Sequence, residues 1–151
     1  MIKRLFDLIT AVIGILLFSP VMVIIACLIK FTSNGPVFFV QDRIGLNGKN
    51  FKMLKFRTMF YNSEKKGTGL YTYENDPRIT KLGFFLRRIS FDELPQLFNV
   101  LIGSMSLVGP RPPVTYELGD WSNFTPSMIK RFKVKPGITG LAQILGRNSI
   151  G

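Results

Sequence analysis

The chain has 151 residues, with 20 Lys and Arg against nine Asp and Glu, so its formal net charge is +11; it has one Cys and no His. A single Cys excludes an internal disulfide and therefore a stapled secreted scaffold. The absence of His excludes a His-based triad, a Cys/His zinc finger and an imidazole general base. At 46% hydrophobic and 19% charged residues, the chain is too apolar for disorder. Its length suits one ordinary domain, or an anchor plus one small domain. The surplus of positive charge calls for a polyanionic partner: nucleic acid, an anionic membrane surface or phosphorylated substrates.

The first element is apolar. No charged residue occurs from Leu8 to Ile29, a run of 22 residues; as a straight helix it would reach about 33 Å, enough for a bilayer core. A signal peptide has a shorter apolar core, about 7–15 residues. Ile24-Ile25-Ala26-Cys27 resembles a lipoprotein cleavage box, but such strings recur in membrane segments. Ser19-Pro20 lies in mid-run, where proline lacks its N–H and clashes with the preceding turn. Lys3 and Arg4 precede the run, and Lys30, Arg43, Lys49, Lys52 and Lys55 follow it. Positive flanks stay cytoplasmic. A helix that enters one leaflet, breaks at Ser19-Pro20 and leaves by the same face satisfies both features, with Ser19 partnering the freed backbone. A kinked spanning helix fits the run equally well.

Residues 34–151 read as a small domain after an anchor at 1–33. Val37–Val40 is β-prone, Asn47-Gly48 signals a hairpin turn, and Phe51–Met59 is the return strand. Residues 62–75 read as a loop. Asp76-Pro77 reads as a helix start, with Ile79, Leu82, Phe85, Leu86 and Ile89 at helical spacing. A second helix is expected from Ser90 to Gly103, through Leu94, Leu97, Phe98 and Leu101; a third runs from Thr125-Pro126 to Lys135. The fold class is α+β: a re-entrant membrane helix-break-helix hairpin, then a compact domain of short helices around a β-hairpin.

Between Pro77 and Tyr116 the only acids are Asp92 and Glu93, adjacent and close in sequence to Arg87 and Arg88. One reading is a capping box, with Glu93 reaching back to the Ser90 N–H. The other is chemical. A carboxylate at a helix start among arginines stays ionised and can attack phosphorus, and an adjacent Glu can hold Mg²⁺. Lys55 and Arg57 share a strand face and are candidate phosphate ligands. Arg111 sits in Gly109-Pro110-Arg111-Pro112-Pro113, where proline stiffens the backbone, and Arg147 follows Gly146. Guanidinium forks grip phosphate bidentately. Lys52, Lys65, Lys66 and Lys130 read as solvated charges.

Taken in order, these segments resemble one family, the bacterial sugar transferases (monotopic phosphoglycosyl transferases). The resemblance runs through Lys3-Arg4-Leu5-Phe6-Asp7, Ser19-Pro20, Gly35-Pro36-Val37-Phe38-Phe39, Gln41-Asp42-Arg43-Ile44-Gly45 and Lys55-Phe56-Arg57-Thr58-Met59. It continues through Asp76-Pro77-Arg78-Ile79-Thr80, Asp92-Glu93-Leu94-Pro95-Gln96-Leu97, Ser104–Pro112 and Lys135–Gly140. It implies transfer of a sugar-1-phosphate from a UDP-sugar to a polyprenyl (undecaprenyl) phosphate, initiating glycan assembly on the cytoplasmic face of the bacterial inner membrane. Asp92 would be the nucleophile, forming a phosphosugar-aspartyl intermediate with loss of UMP. Glu93 would bind Mg²⁺, and Lys55, Arg87, Arg111 and Arg147 would contact phosphates. Ser19 and Pro20 would form the hairpin break. Membrane lipids are expected partners and nucleic acid is not. Family members extend past the Gly146-Arg147-Asn148 region, so the C-terminal part of the family domain is expected to be missing. The competing readings are a membrane-anchored basic binding module without catalysis, supported by residues 49–61; an inactive truncated transferase; and a lipoprotein cleaved at Cys27.

Overall fold

The computed structural model describes residues 2–63, 73, 76–115 and 124–145. The elements run α1 (Ile2–Thr32), β1 (Phe38–Ile44), β2 (Asn50–Phe56), α2 (Lys81–Arg88), α3 (Gln96–Ile102), β3 (Ser106–Val108), α4 (Pro126–Lys130), β4 (Gly137–Thr139) and α5 (Leu141–Ile144). The α+β class and the antiparallel β1–β2 hairpin are as read from sequence. Asn47 (φ 54°) and Gly48 (φ 74°) make its left-handed turn, a conformation that Asn and Gly adopt at little cost.

α1 is long and apolar enough to cross a membrane. Asp7, Ala11, Met22, Ile25 and Ile29 are buried on one helical stripe, whereas Ile9, Ile13, Leu16, Leu17, Val23, Ile24 and Phe31 are exposed. A core helix would bury those side chains. Their exposure suits association with a membrane. The interruption expected at Ser19-Pro20 does not end the helix, since helical residues continue on both sides of Pro20. Proline deletes one i→i−4 bond, and a helix supported elsewhere survives that loss.

Contacts divide the chain into two compact units, and the division crosses α1 between Leu16 and Leu17. Neither unit coincides with residues 1–33 or 34–151. The first comprises residues 1–16, 40–54 and 96–151. Its core is Ala11, Met53, Val100 and Met105, with Phe51, Leu107 and Ile138 against it. Buried Asn99 on α3 serves as a surrogate strand edge for β2: its Oδ1 accepts from Leu54 N at 2.9 Å and its Nδ2 donates to Lys52 O at 2.8 Å. The buried Asp7 carboxylate accepts from Ser106 Oγ (2.8 Å), Leu107 N (3.1 Å) and Lys3 Nζ (3.3 Å). Arg4 donates to Val100 O and Leu101 O at 2.6 and 2.9 Å, satisfying the carbonyls that end α3. Lys3, Arg4 and Asp7 therefore do more than set flank charge. β3 and β4 pair in parallel, Ser106 with Gly137 and Val108 with Thr139.

The second unit comprises residues 17–39 and 55–95. Arg57, expected to present its charge beside Lys55, is instead buried. It donates to Ser33 O and Ser33 Oγ at 2.8 and 2.9 Å and also to Asn34 O. It caps the exit of α1, where carbonyls lack helical partners and the dipole favours a cation.

The helix starts shift as well. Asp76-Pro77 does not begin α2. Asp76 accepts from Arg78 N in an Asx-type turn, Ile79 bridges Met59, and Thr80 is the N-cap, its Oγ1 accepting from Gly83 N at 2.9 Å. The helix expected from Ser90 is a 3₁₀ turn, Phe91–Glu93, followed by α3 from Gln96. Gly103 (φ 95°) follows α3 as expected. The third helix starts as read, with Thr125 as N-cap and Pro126 first, but is α-helical only to Lys130 before a 3₁₀ turn.

Replacing Arg57 with Ala removes hydrogen bonds from a charged donor, each worth about 1.5–3 kcal/mol. A net loss of about 2 kcal/mol is expected, lowering Tm by roughly 4–8 °C, as thermal unfolding in detergent would measure.

Candidate active site

Ser90 leaves α2 in the left-handed region (φ 62°) and its side chain does not cap the turn that follows. The capping-box reading of Ser90–Glu93 therefore fails. Glu93 turns instead to Lys55 on β2, with Nζ to Oε1 at 3.0 Å and both side chains largely buried, at 18% and 13% exposed. Asp92, on the same turn, is buried. Glu93 is thus held by a tertiary contact in place of the local cap.

Gly83 lets α2 carry Arg87 to this turn. A Cβ there would collide with the Thr58 carbonyl, so only glycine permits the helix to lie against that backbone. Thr80 N also donates to Thr58 O at 3.0 Å. From this seat Arg87 Nε donates to Thr58 Oγ1 at 2.8 Å. Burial pulls the Arg87 guanidinium below its usual range, an effect opposed by the charges of Asp92 and then Asp76. Arginine stays protonated at neutral pH, so a fixed cation faces the carboxylates. Asp76 is clamped by Arg78 through Nε (2.9 and 3.1 Å) and Nη2 (2.6 Å). Those bonds hold its carboxyl below the usual range, and burial works against them.

Of the residues singled out by sequence, Lys55, Arg87, Asp92 and Glu93 come together in the second unit. Arg111 belongs to the first unit, is exposed, and its carbonyl accepts from Arg131 Nη2 at 2.7 Å. Arg147 lies outside the described residues. Ser19 and Pro20 lie within α1. Thr58, Asp76 and Arg78 were not anticipated as parts of this arrangement. Their sequence signal resembles a helix cap and a strand end, and their place beside the site shows only once residues 58–60 pair with 78–80.

Among the described residues no three His, Cys, Asp or Glu side chains gather as a metal cage. Asp92 and Glu93 nevertheless supply an all-oxygen pair. Mg²⁺ is commonly held by one or two carboxylates, with waters and substrate phosphates completing its octahedron. The donor set fits that ion in chemistry and number.

The second unit thus holds paired carboxylates beside fixed cations, and α1 carries an exposed apolar surface. The bacterial sugar transferase family matches residues 1–151, and the chain belongs to that family. It is 48% identical over 146 residues to the UDP-glucose:undecaprenyl-phosphate glucose-1-phosphate transferase of Escherichia coli K12, covering 97% of this chain and 31% of that protein. It is 45% identical over 144 residues to an Aeromonas hydrophila UDP-N-acetylgalactosamine-undecaprenyl-phosphate N-acetylgalactosaminephosphotransferase, covering 95% and 34%. It is 43% identical over 164 residues to the exopolysaccharide production protein ExoY of Rhizobium meliloti, covering 99% and 71%. The chain spans about a third of the length of the first two relatives.

Two outcomes follow. Lys55→Met leaves the Glu93 carboxylate without its cation in a largely buried place. It should destabilise the chain by about 3 kcal/mol, and adding Glu93→Gln should recover part of that loss in a denaturant double-mutant cycle. The Asp76 carboxyl titrates below the ordinary carboxylate value when folded. Its stabilisation is therefore complete well above that value and disappears as pH falls through the folded one. Asp76→Asn should flatten the acid limb of the stability–pH curve.

Proposed function

We propose that the chain transfers a sugar-1-phosphate from a UDP-sugar to a polyprenyl phosphate, through a phosphosugar-aspartyl intermediate on Asp92. The observation that carries this reading is a buried Asp92 in the field of Arg87, next to a Glu93 held by Lys55. The printed names of the relatives, which include two undecaprenyl-phosphate sugar phosphotransferases, support the donor and acceptor classes.

In the first step an Asp92 carboxylate oxygen attacks the β-phosphorus of the donor. The bond from that phosphorus to the bridging oxygen breaks, and UMP leaves with the electron pair. In the second step a phosphate oxygen of the acceptor attacks the same phosphorus. The Asp92–phosphorus bond breaks, the carboxylate is restored, and a polyprenyl-diphosphate sugar departs. The nucleophile is already an anion, so no His or other general base is required. Lys55 and Arg87 offset charge near the reacting phosphoryl group, while Arg111 and Arg147 are further phosphate contacts in this reading. Mg²⁺ held by Glu93 would neutralise diphosphate charge when bound.

The exposed apolar faces of α1 suit insertion in a bilayer. Both ends of α1 carry polar contacts, Arg4 at one and Arg57 at the other, and such groups require the aqueous side. Basic residues flank both ends, which favours the cytoplasmic face of the inner membrane for each. A re-entrant, monotopic anchor in which α1 bends at Pro20 without ending there satisfies these conditions. The resulting activity would initiate exopolysaccharide, capsule or related glycan assembly.

The test is UMP release from a panel of UDP-sugars with detergent-dispersed undecaprenyl phosphate and Mg²⁺. Asp92→Asn, which keeps the buried side chain's size, should lower turnover by at least about a thousandfold while thermal unfolding still shows a folded chain. Equal release by parent and variant would refute the nucleophile assignment; absence of any release by the parent would count against the activity itself.

A further inference from the structure

At the end of the β3–β4 pair, in the first unit, lies an open cleft of about 460 Å³ whose lining includes Val108, Pro110, Arg111, Arg131, Leu141 and Leu145. That volume lies within the range of about 300–1,000 Å³ usual for small-ligand sites. Two of its properties pull in different chemical directions. Arg111 and Arg131 both line it, and neither forms an ion pair among the described residues. Beside them, Val108, Leu141 and Leu145 present aliphatic surface at 57%, 73% and 60% exposure.

The arginines are organised. Arg131 donates to the Arg111 carbonyl at 2.7 Å and lies over the Phe132 ring, 5.6 Å from its centroid. Prolines on both sides restrict the Arg111 backbone. Like charges brought together with no ion-paired carboxylate among the described residues call for an anion. Exposed aliphatic side chains at the same place call for an apolar chain joined to that anion.

We propose that this cleft binds the acceptor lipid, with Arg111 and Arg131 on its terminal phosphate and Val108, Leu141 and Leu145 along its first isoprene units. The proposal rests on the transferase reading for the identity of the lipid. A terminal phosphomonoester carries about −1.5 to −2 charges at neutral pH, matching two guanidinium groups. The phosphodiester of a bulk phospholipid carries one. A nucleoside would favour an aromatic surface to stack on, and the residues lining this cleft are aliphatic, glycine, proline and arginine.

Native mass spectrometry of the whole chain in detergent micelles tests this with three probes: undecaprenyl phosphate, undecaprenol and phosphatidylglycerol. Undecaprenyl phosphate should be retained in preference to the other two. Arg131→Ala should reduce its occupancy about tenfold, the scale of one lost charged contact, and Arg131→Lys should retain an intermediate share. Leu141→Asp, which leaves both arginines in place, should reduce it as well. Parental binding by both Arg131→Ala and Leu141→Asp, or equal filling by phosphatidylglycerol, would overturn the assignment.

Turnover supplies a second readout. Arg131→Ala should raise KM for the acceptor and leave KM for the UDP-sugar unchanged; a rise in the donor KM alone would give the cleft to the nucleotide sugar and refute the proposal. A parent chain that binds undecaprenyl phosphate through Arg131 but releases no UMP would uphold the cleft and count against the transferase reading.

Discussion

A carboxylate removed from water must be given cations or hydrogen-bond donors, and much of this structure follows from that requirement. Asp7 takes Ser106, Leu107 and Lys3. Asp76 takes Arg78, Glu93 takes Lys55, and Asp92 lies in the field of Arg87. An unpaired charge in these places would cost several kcal/mol (~3–5), so each acid fixes where its partner must lie, and for Asp7 and Glu93 that partner belongs to a segment distant in sequence. Part of the +11 surplus is therefore internal architecture.

Within the second unit the requirement becomes chemistry. Residues 58–60 pair with 78–80, Gly83 lets α2 rest on the Thr58 backbone, and Arg87 is fixed by the Thr58 hydroxyl. In the proposed reaction this geometry positions a cation before substrate arrives. Groups already oriented toward developing phosphate charge need no reorganisation during reaction, which is the physical basis of electrostatic catalysis. The Lys55–Glu93 pair has two tasks in this account, since the same carboxylate that secures the 3₁₀ turn is the candidate Mg²⁺ ligand.

The first unit distributes its basic residues differently. Arg4 terminates α3 and Lys3 supports Asp7, whereas Arg111 and Arg131 remain outside any ion pair among the described residues. Identical side-chain types thus serve as helix caps in one place and as an anion-directed surface in another. Burial distinguishes the roles: Arg57 is buried against backbone carbonyls, while Arg111 and Arg131 are exposed.

The sequence alone determined whatever local pattern controls: the long apolar helix, the Asn47-Gly48 hairpin, the Thr125-Pro126 helix start, the α+β class and, through ordered motifs, the family. It also singled out Asp92 and Glu93, because acids are scarce in a basic chain. Tertiary structure decided what those residues touch. Ser90–Glu93 has the spacing of a capping box, but Lys55 lies 38 positions away and wins Glu93, since a buried ion must be neutralised while a cap only saves one backbone donor. Asp76-Pro77 has the signature of a helix start, yet Arg78 clamps its carboxylate and moves the cap to Thr80. Arg57 shares a nominal strand face with Lys55 but follows the end of β2, where the carbonyls after α1 claim it. Local propensity differs by fractions of a kcal/mol (~0.5–1); charge neutralisation in a buried site is worth several times that, so ion partners, near or distant in sequence, overrule local propensity.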